Sequence, residues 1–233
     1  MDLSKRLQKV SEMVPMCHTV ADVGTDHGFA LISLLKKGKI KKGIASDNKA
    51  MPLEKARRNA EEEGQSEFMS FRLGNGFETL APGEANGAIL AGMGGILMVE
   101  LLESARPVVD LFDFLLLQPA QNPEILRRYL YQNNFEIMDE DLVQEERRFY
   151  EYFLVRVSKK KMDPNPSICD YSIGNILLEK KHPLMKVYIE SKIQELTVIS
   201  EKIHGTTENA KIKMERLNHK MTELRRIRDE YLC

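Results

Sequence analysis

An open, mostly parallel α/β sheet covered by helices on both faces, followed by a helical hairpin, is the fold this sequence predicts, and three observations predict it. Short apolar runs of sheet-core length alternate with helical segments through residues 1–157. The last two strand-like runs of that region have no helix between them, which makes them an antiparallel edge hairpin. Beyond a basic, proline-bearing segment, apolar residues recur at steps of three and four over two stretches.

Taken in order, Leu3, Leu7, Val10 and Val14 stand at helical spacing and lead in with a short amphipathic helix. A strand follows at residues 19–23. After the stretch DVGTDHG (residues 22–28), residues 29–37 read as a helix closed by Gly38, and residues 42–46 as a second strand ending at Asp47. Pro52, at a first helical turn, opens a helix over residues 53–63 that Gly64 stops. A third strand spans residues 68–73, a loop holds Gly74, Asn75 and Gly76, and a fourth strand, residues 88–91, ends in Gly92-Met-Gly-Gly95. A helix over residues 96–103 leads to the apolar strand 112–117 and the loop Gln118-Pro-Ala-Gln-Asn-Pro123. Pro123 starts a helix over residues 124–133. Strands 135–143 and 149–157 close the body, with their turn in the charged residues 144–148.

Residues 158–166 read as a linker. Past it, Met185, Ile189, Ile193, Leu196, Ile199 and Ile203, then Ala210, Met214, Leu217, Met221, Leu224 and Tyr231, form two apolar stripes joined by a turn at residues 204–207. These stripes predict an antiparallel helical hairpin of coiled-coil type. The basic positions between them, among them Lys211, Lys213, Arg216, Lys220, Arg225, Arg226 and Arg228, are not needed to hold it together.

The 233 residues are 42% hydrophobic and 30% charged, enough for one core and a smaller second unit. No apolar run reaches membrane-spanning length and the N-terminus carries charges where a signal peptide needs an apolar centre, so the sequence predicts a soluble, intracellular protein. Cys17, Cys169 and Cys233 are odd in number and far apart, which supports neither a disulfide framework nor a zinc site. The net charge of −1 conceals an asymmetry: residues 158–233 hold 15 Lys and Arg against 11 Asp and Glu, which leaves 19 against 24 in residues 1–157. A basic tail suits a polyanion; a solvated helical face explains the same charges.

DVGTDHG occupies the end of the first strand, where ligands bind in sheets of this kind. The dinucleotide fingerprint G-x-G-x-x-G is not met, because Asp26 and Phe29 stand where glycines are needed, and no P-loop is present. Asp22 and Asp26 would repel phosphate. A ligand with a sulfonium and an ammonium group and no phosphate, S-adenosylmethionine, suits the acids better. The stretch looks like the first motif of the class I methyltransferases. Asp47 then stands where an acid accepts from ribose hydroxyls, and Asn75 where an amide reads an adenine edge. Gly92-Met-Gly-Gly95 leaves room for the backbone to approach the methionine half and the methyl acceptor. Each residue alone is also an ordinary turn or cap residue.

Six blocks carry a narrower likeness: LSKRLQKV (3–10), VADVGTDHG (20–28), ASDNKAMPLEKARRNA (45–60), RLGNGFE (72–78), ILAGMGG (89–95) and LLLQP (115–119). With the helical hairpin after them, they resemble the bacterial tRNA adenine N1-methyltransferases of the TrmK family, which modify adenosine 22 in the tRNA D-arm. The resemblance implies a Rossmann-like, seven-stranded class I methyltransferase domain over residues 1–158, and a coiled-coil domain over residues 159–233 that helps hold tRNA. It implies S-adenosyl-L-methionine as the methyl donor, S-adenosyl-L-homocysteine as product and no metal. It also implies tRNA as partner without membrane or obligate protein partner, and a cytoplasmic location.

Carried over by position, Asp22, Gly24, Thr25, Asp26, His27 and Gly28 would line the amino acid end of the cofactor. Asp47 and Asn48 would hold the ribose, Asn75 and Gly76 the adenine, and Ala91, Gly92 and Met93 the region beside the methyl group. No Asn-Pro-Pro-Tyr type of motif, as used on exocyclic amines, is present, in keeping with a ring-nitrogen target. Neutral adenine N1 has a free lone pair, so alignment rather than a strong base would carry the reaction. Asp26 is the candidate carboxylate for the cationic product ring, Gln118 and Asn122 the candidate adenine contacts, and Asn59 and Arg6 braces of the site. His27 is a site wall or a helix-start residue. A class I methyltransferase for a small-molecule or protein acceptor, and a non-catalytic RNA-binding module, are the competing readings.

Overall fold

The structure is a computed structural model that describes residues 3–158, 171–203 and 207–231. It divides into two compact units, residues 1–165 and 166–233. Most of the sequence-predicted linker, the centre of the hairpin turn, and Cys169 and Cys233 lie outside the described residues.

In the first unit, α1 (Lys5–Met13) is capped by Ser4, whose hydroxyl accepts from the Leu7 amide at 3.3 Å. Then follow β1 (Thr19–Val23), α2 (Phe29–Lys36), β2 (Lys42–Asp47), α3 (Ala50–Glu62), β3 (Met69–Leu73), β4 (Gly87–Gly94), α4 (Gly95–Ser104), the single turn α5 (Arg106–Val109), β5 (Phe114–Gln121), α6 (Pro123–Gln132), β6 (Phe135–Glu145) and β7 (Arg148–Val157). The seven strands form one sheet in the order β3-β2-β1-β4-β5-β7-β6. β1 to β5 are parallel, and β7 runs antiparallel to both β5 and β6.

Strand parity divides the core. Ala21, Val23, Leu90, Leu115 and Leu117 pack on the face covered by Met98 and Leu102 of α4 and Leu126 and Leu130 of α6. Val20, Ala45, Ile89 and Leu116 pack on the face covered by Val10 of α1, Leu31 and Leu34 of α2 and Leu53 of α3. Both faces are therefore dry, which is why the central strands read as unbroken apolar runs rather than alternating ones.

Several boundaries differ from the sequence expectation for physical reasons. Helix α3 begins at Ala50, so Pro52 stands inside its first turn, where a missing N–H leaves nothing unbonded. Strand β4 continues through Gly92 and Met93 to Gly94, and β5 through Gln118 and Pro119 to Gln121, both expected as loops. The two pair as Met93↔Pro119 and Gly94↔Gln121 across register shifts, and such bulges are where a strand tolerates Gly and Pro. The α5 turn was not expected.

The second unit contains α7 (Asn175–Glu179), also unexpected, then α8 (Met185–Glu201) and α9 (Glu208–Tyr231), which pack against each other. Met221, Leu224 and Ile227 are buried on α9, and Met185, Tyr188 and Ile189 on α8. Ile199, expected in the stripe, is exposed, and the Thr197 hydroxyl instead reaches Met221 Sδ at 3.6 Å.

Candidate functional site

Strand order reverses between β1 and β4, and the sequence-predicted residues gather at the carboxyl ends on either side of that point. Past Val23 the chain curls through Gly24 (φ 78°), His27 (φ 70°) and Gly28 (φ 72°) into α2. The Gly24 and Thr25 amides both donate to the Ser46 carbonyl, at 2.8 and 2.9 Å, which pins the turn to the end of β2. A Cβ on Gly24 would lie 2.1 Å from Met93 Cε, so the thioether of β4 rests directly on this turn. Asn59 of α3 donates its amide to the His27 carbonyl at 2.9 Å and holds the turn from the other side. The His27 ring stacks on Phe29, and its Nε2 stands 3.1 Å from Asp26 Oδ1. The Asp26 side chain is 79% exposed and faces solvent.

Asp22 is the buried acid of the site. It accepts the Thr25 hydroxyl at 2.7 Å, and burial pushes its carboxyl up to about 6. The Thr25 hydrogen bond and the Arg6 charge pull it down, while Asp47 and Asp26 push it further up. Asp47 spends Oδ1 on the Lys49 amide at 2.8 Å, and its carbonyl accepts from the Gly74 amide, so the ends of β2 and β3 stand together. Asn75 and Asn48 are exposed there, with Gly76 (φ 50°) between Asn75 and the buried Phe77.

Across the reversal, Ala91, Gly92 (φ 84°) and Met93 form the β4 lip. Arg6 Nη1 lies 3.6 Å from where a Gly92 Cβ would be and donates to Gln118 Oε1 at 3.0 Å, while Gln118 Nε2 donates to the Pro119 carbonyl at 2.9 Å. Gln118 therefore lies inside a strand and fully buried, rather than in a loop past the strand end. The Tyr152 hydroxyl donates to the Arg6 carbonyl at 3.0 Å and fixes α1 from below. Asn122, left-handed at φ 54°, caps α6, and its side-chain amide has no hydrogen-bond partner among the described residues. Asp26 meets only His27 among the other side chains of the group, and Asn48 is exposed beside Asp47.

Sequence reasoning passed over Ser46 and Tyr152. Ser46 is 1% exposed, and its buried hydroxyl has no partner among the described residues, beside the glycine turn. A small polar residue just before the acid of a strand end was its only signal. Orphaned hydroxyl, buried and free carboxylate oxygens, and glycines approached to contact distance fit a ligand bearing positive charge and hydroxyls, and oppose a phosphate. Among the described residues no group of His, Cys, Asp or Glu is arranged to hold a metal, and no helix is long and apolar enough to cross a membrane. A cavity of about 530 Å³, lined by Thr19, Lys42, Met69 and Arg72 among others, opens at the amino ends of β1 to β3 and contains none of these residues.

The methyltransferase domain family matches residues 3–153. The tRNA (adenine(22)-N(1))-methyltransferase of Bacillus subtilis is 29% identical over 231 residues, 97% of either chain. The crystal structure of the B. subtilis M1A22 tRNA methyltransferase TrmK superposes with a TM-score of 0.85 at 28% identity, covering 97% of this chain and 99% of that one. A putative tRNA (m1A22) methyltransferase of Streptococcus pneumoniae in complex with S-adenosyl-L-methionine does so with a TM-score of 0.85 at 27% identity, covering 97% of this chain and all of that one.

Proposed function

The chain belongs to the methyltransferase domain family, and from that premise we propose that it transfers the methyl group of S-adenosylmethionine to N1 of adenosine 22 in the D-arm of tRNA. The end-to-end match to a relative of that activity carries the reading; the acid, phosphate-averse hollow at the sheet reversal supports it. In this reading Asp22, Gly24, Thr25, Asp26, His27 and Gly28 receive the amino acid end of the cofactor. Asp47, through its free Oδ2, and Asn48 hold the ribose, Asn75 and Gly76 the adenine, and Ala91, Gly92 and Met93 the methyl region.

When bound, the cofactor supplies an electrophilic methyl on sulfonium. The chain's own residues supply alignment, since neutral adenine N1 needs no base to expose its lone pair. Asn122 offers its free amide to the adenine edge. Gln118, with its oxygen held by Arg6, acts by fixing the guanidinium over Gly92. Exposed Asp26 balances the positive charge that develops on the ring. Because N1 lies on the pairing edge, the base leaves its stack before reacting. Residues 1–158 form the methyltransferase domain, residues 159–233 the tRNA-binding domain, and the protein works in the cytoplasm with its substrate.

Incubation with unmodified tRNA and labelled S-adenosylmethionine, followed by reverse transcription, tests this. Label in tRNA with arrest at position 22 is expected. Transfer to a small molecule or protein but not to RNA would overturn the reading.

A further inference from the structure

Eight large apolar side chains are exposed on residues 3–158, and five of them, Met51, Leu73, Ile96, Leu97 and Ile125, stand at the carboxyl ends of the parallel strands or in the helical turns that follow. Such clustering separates them from the scattered exposed residues that any surface carries. Met51 and Leu73 flank Asp47 and Asn75 on the cofactor side of the reversal. Ile96, Leu97 and Ile125 stand on the other side.

Core packing does not explain that second group. Helix α4 buries Gly95, Met98 and Leu102, which leaves Ile96 and Leu97 at 49% and 46% exposure. Helix α6 buries Leu126, Tyr129 and Leu130, which leaves Ile125 at 38%. The two first turns abut: Gly94 pairs with Gln121, and a Cβ on Gly95 would lie 2.3 Å from the Asn122 carbonyl oxygen. Beside these apolar side chains stands the unpartnered amide of Asn122.

We infer that Ile96, Leu97 and Ile125 form an apolar shelf that receives the ring face of the extruded target adenine and of the base next to it, while Asn122 meets the adenine edge. The inference rests on the tRNA methyltransferase reading and adds the acceptor subsite to it. An unstacked base is bound by apolar contact on its faces and hydrogen bonds on its edge, which is the combination these two turns offer. Glu100 and Glu124 stand on the same helices and Arg128 one turn past Ile125, so the charges around the shelf offset one another and its apolar side chains suit base faces rather than backbone. Its continuity with the β4 lip places it beside the methyl region rather than the ribose.

The test compares the full chain with Ile96→Ser/Leu97→Ser and, separately, Ile125→Ser. It measures cofactor affinity, KM for tRNA, melting temperature, sedimentation, and fluorescence of a tRNA carrying 2-aminopurine at position 22. Both variants should melt with the parent and bind cofactor within about twofold of it, since exposed side chains are replaced. The double variant should raise KM for tRNA about tenfold and lose the rise in 2-aminopurine fluorescence that the parent gives on binding, as expected when part of a buried apolar surface is removed. Unchanged KM and fluorescence would overturn the shelf, as would a change in sedimentation alone, which would make the patch a protein contact. A parent chain that methylates no tRNA would overturn the functional reading itself.

Discussion

Arg6 Nη1 donates to Gln118 Oε1 across 3.0 Å, tying the first helix of the chain to the distal part of β5. Parity puts Gln118 on the right face for this pairing once the sheet forms. Gln118 lies an even number of residues from Leu116, on the face that α1 covers, and Tyr152 on the same face holds the Arg6 carbonyl. Gln118→Leu keeps the volume and removes the acceptor. Methyl transfer should fall about 10- to 100-fold, the effect of losing a hydrogen bond to a charged group. Gln118→Glu, which still accepts from Arg6 but loses the donor to the Pro119 carbonyl, should recover only part of it, and steady-state kinetics on tRNA check both.

In the proposed role of Asp22 at the amino acid end of the cofactor, binding depends on pH. Its carboxyl titrates near 6 in the folded chain because burial disfavours its charge. Between about pH 4 and 6 the folded protein keeps a proton that the unfolded chain has released, so stability falls as pH rises through that window and levels off above it. Cofactor affinity runs the other way: an ammonium group prefers the ionised carboxylate, so affinity should rise with pH through 6 and then stay flat. Calorimetric titration from pH 5 to 8 measures this, and Asp22→Asn should remove the inflection.

The alternation of strands and helices was legible because the central strands are buried on both faces and their runs are apolar without interruption. Glycine and proline misled at β4 and β5. Gly92 and Pro119 look like loop signals, but a bulge carries both strands past them, and so Gln118 moved from loop to core. Asp22, Asp47 and Asn75 were legible as polar residues at strand ends. Ser46 and Tyr152 were not, because their roles come from partners far apart in sequence: the Ser46 carbonyl meets the glycine turn of β1, and Tyr152 meets a helix 146 residues earlier.

Two glycines should fail for different reasons. At Gly24 an added methyl meets the flexible end of Met93, but φ is 78°, so Gly24→Ala carries a backbone strain of about 1–2 kcal/mol even after Met93 moves. Met93→Ala should therefore not rescue its stability, although it clears the clash. At Gly95 the obstacle is the Asn122 carbonyl, 2.3 Å away, on backbone that cannot swing aside. Gly95→Ala should push the first turns of α4 and α6 apart and lower the melting temperature further than Gly24→Ala does.

Arg127 of α6 is fully buried between Glu140 of β6 and Glu151 of β7, with Nη2 at 2.8 and 2.6 Å from them, and it lies over the Phe153 ring. Arg127→Met fits the space but leaves two buried carboxylates without their cation. A loss of about 3–5 kcal/mol at neutral pH is expected in denaturant melts. The loss should shrink in acid, where the carboxylates protonate.

Six basic residues of helix α9 fall into two sets. Arg226 is held by Glu223 and Glu230, and Arg228 by Asp229. Lys211, Lys213, Arg216 and Arg225 are exposed, with no ion-pair partner among the described residues. Residues whose charge is already neutralised release few counterions when they meet a phosphate, whereas free ones release about one each. In the proposed tRNA-binding role of this unit, reversing Lys211, Lys213 and Arg216 to Glu should flatten the plot of log affinity against log salt by about 0.7–0.9 for each phosphate that is no longer neutralised. Arg226→Glu should change that slope little, since it removes a charge that its own helix already balances. Cofactor affinity should be the same in both variants, because these residues belong to the second unit and the proposed cofactor residues to the first. Filter binding of tRNA across a salt series measures the slopes; equal slopes for parent and triple variant would take the tail out of the RNA interface.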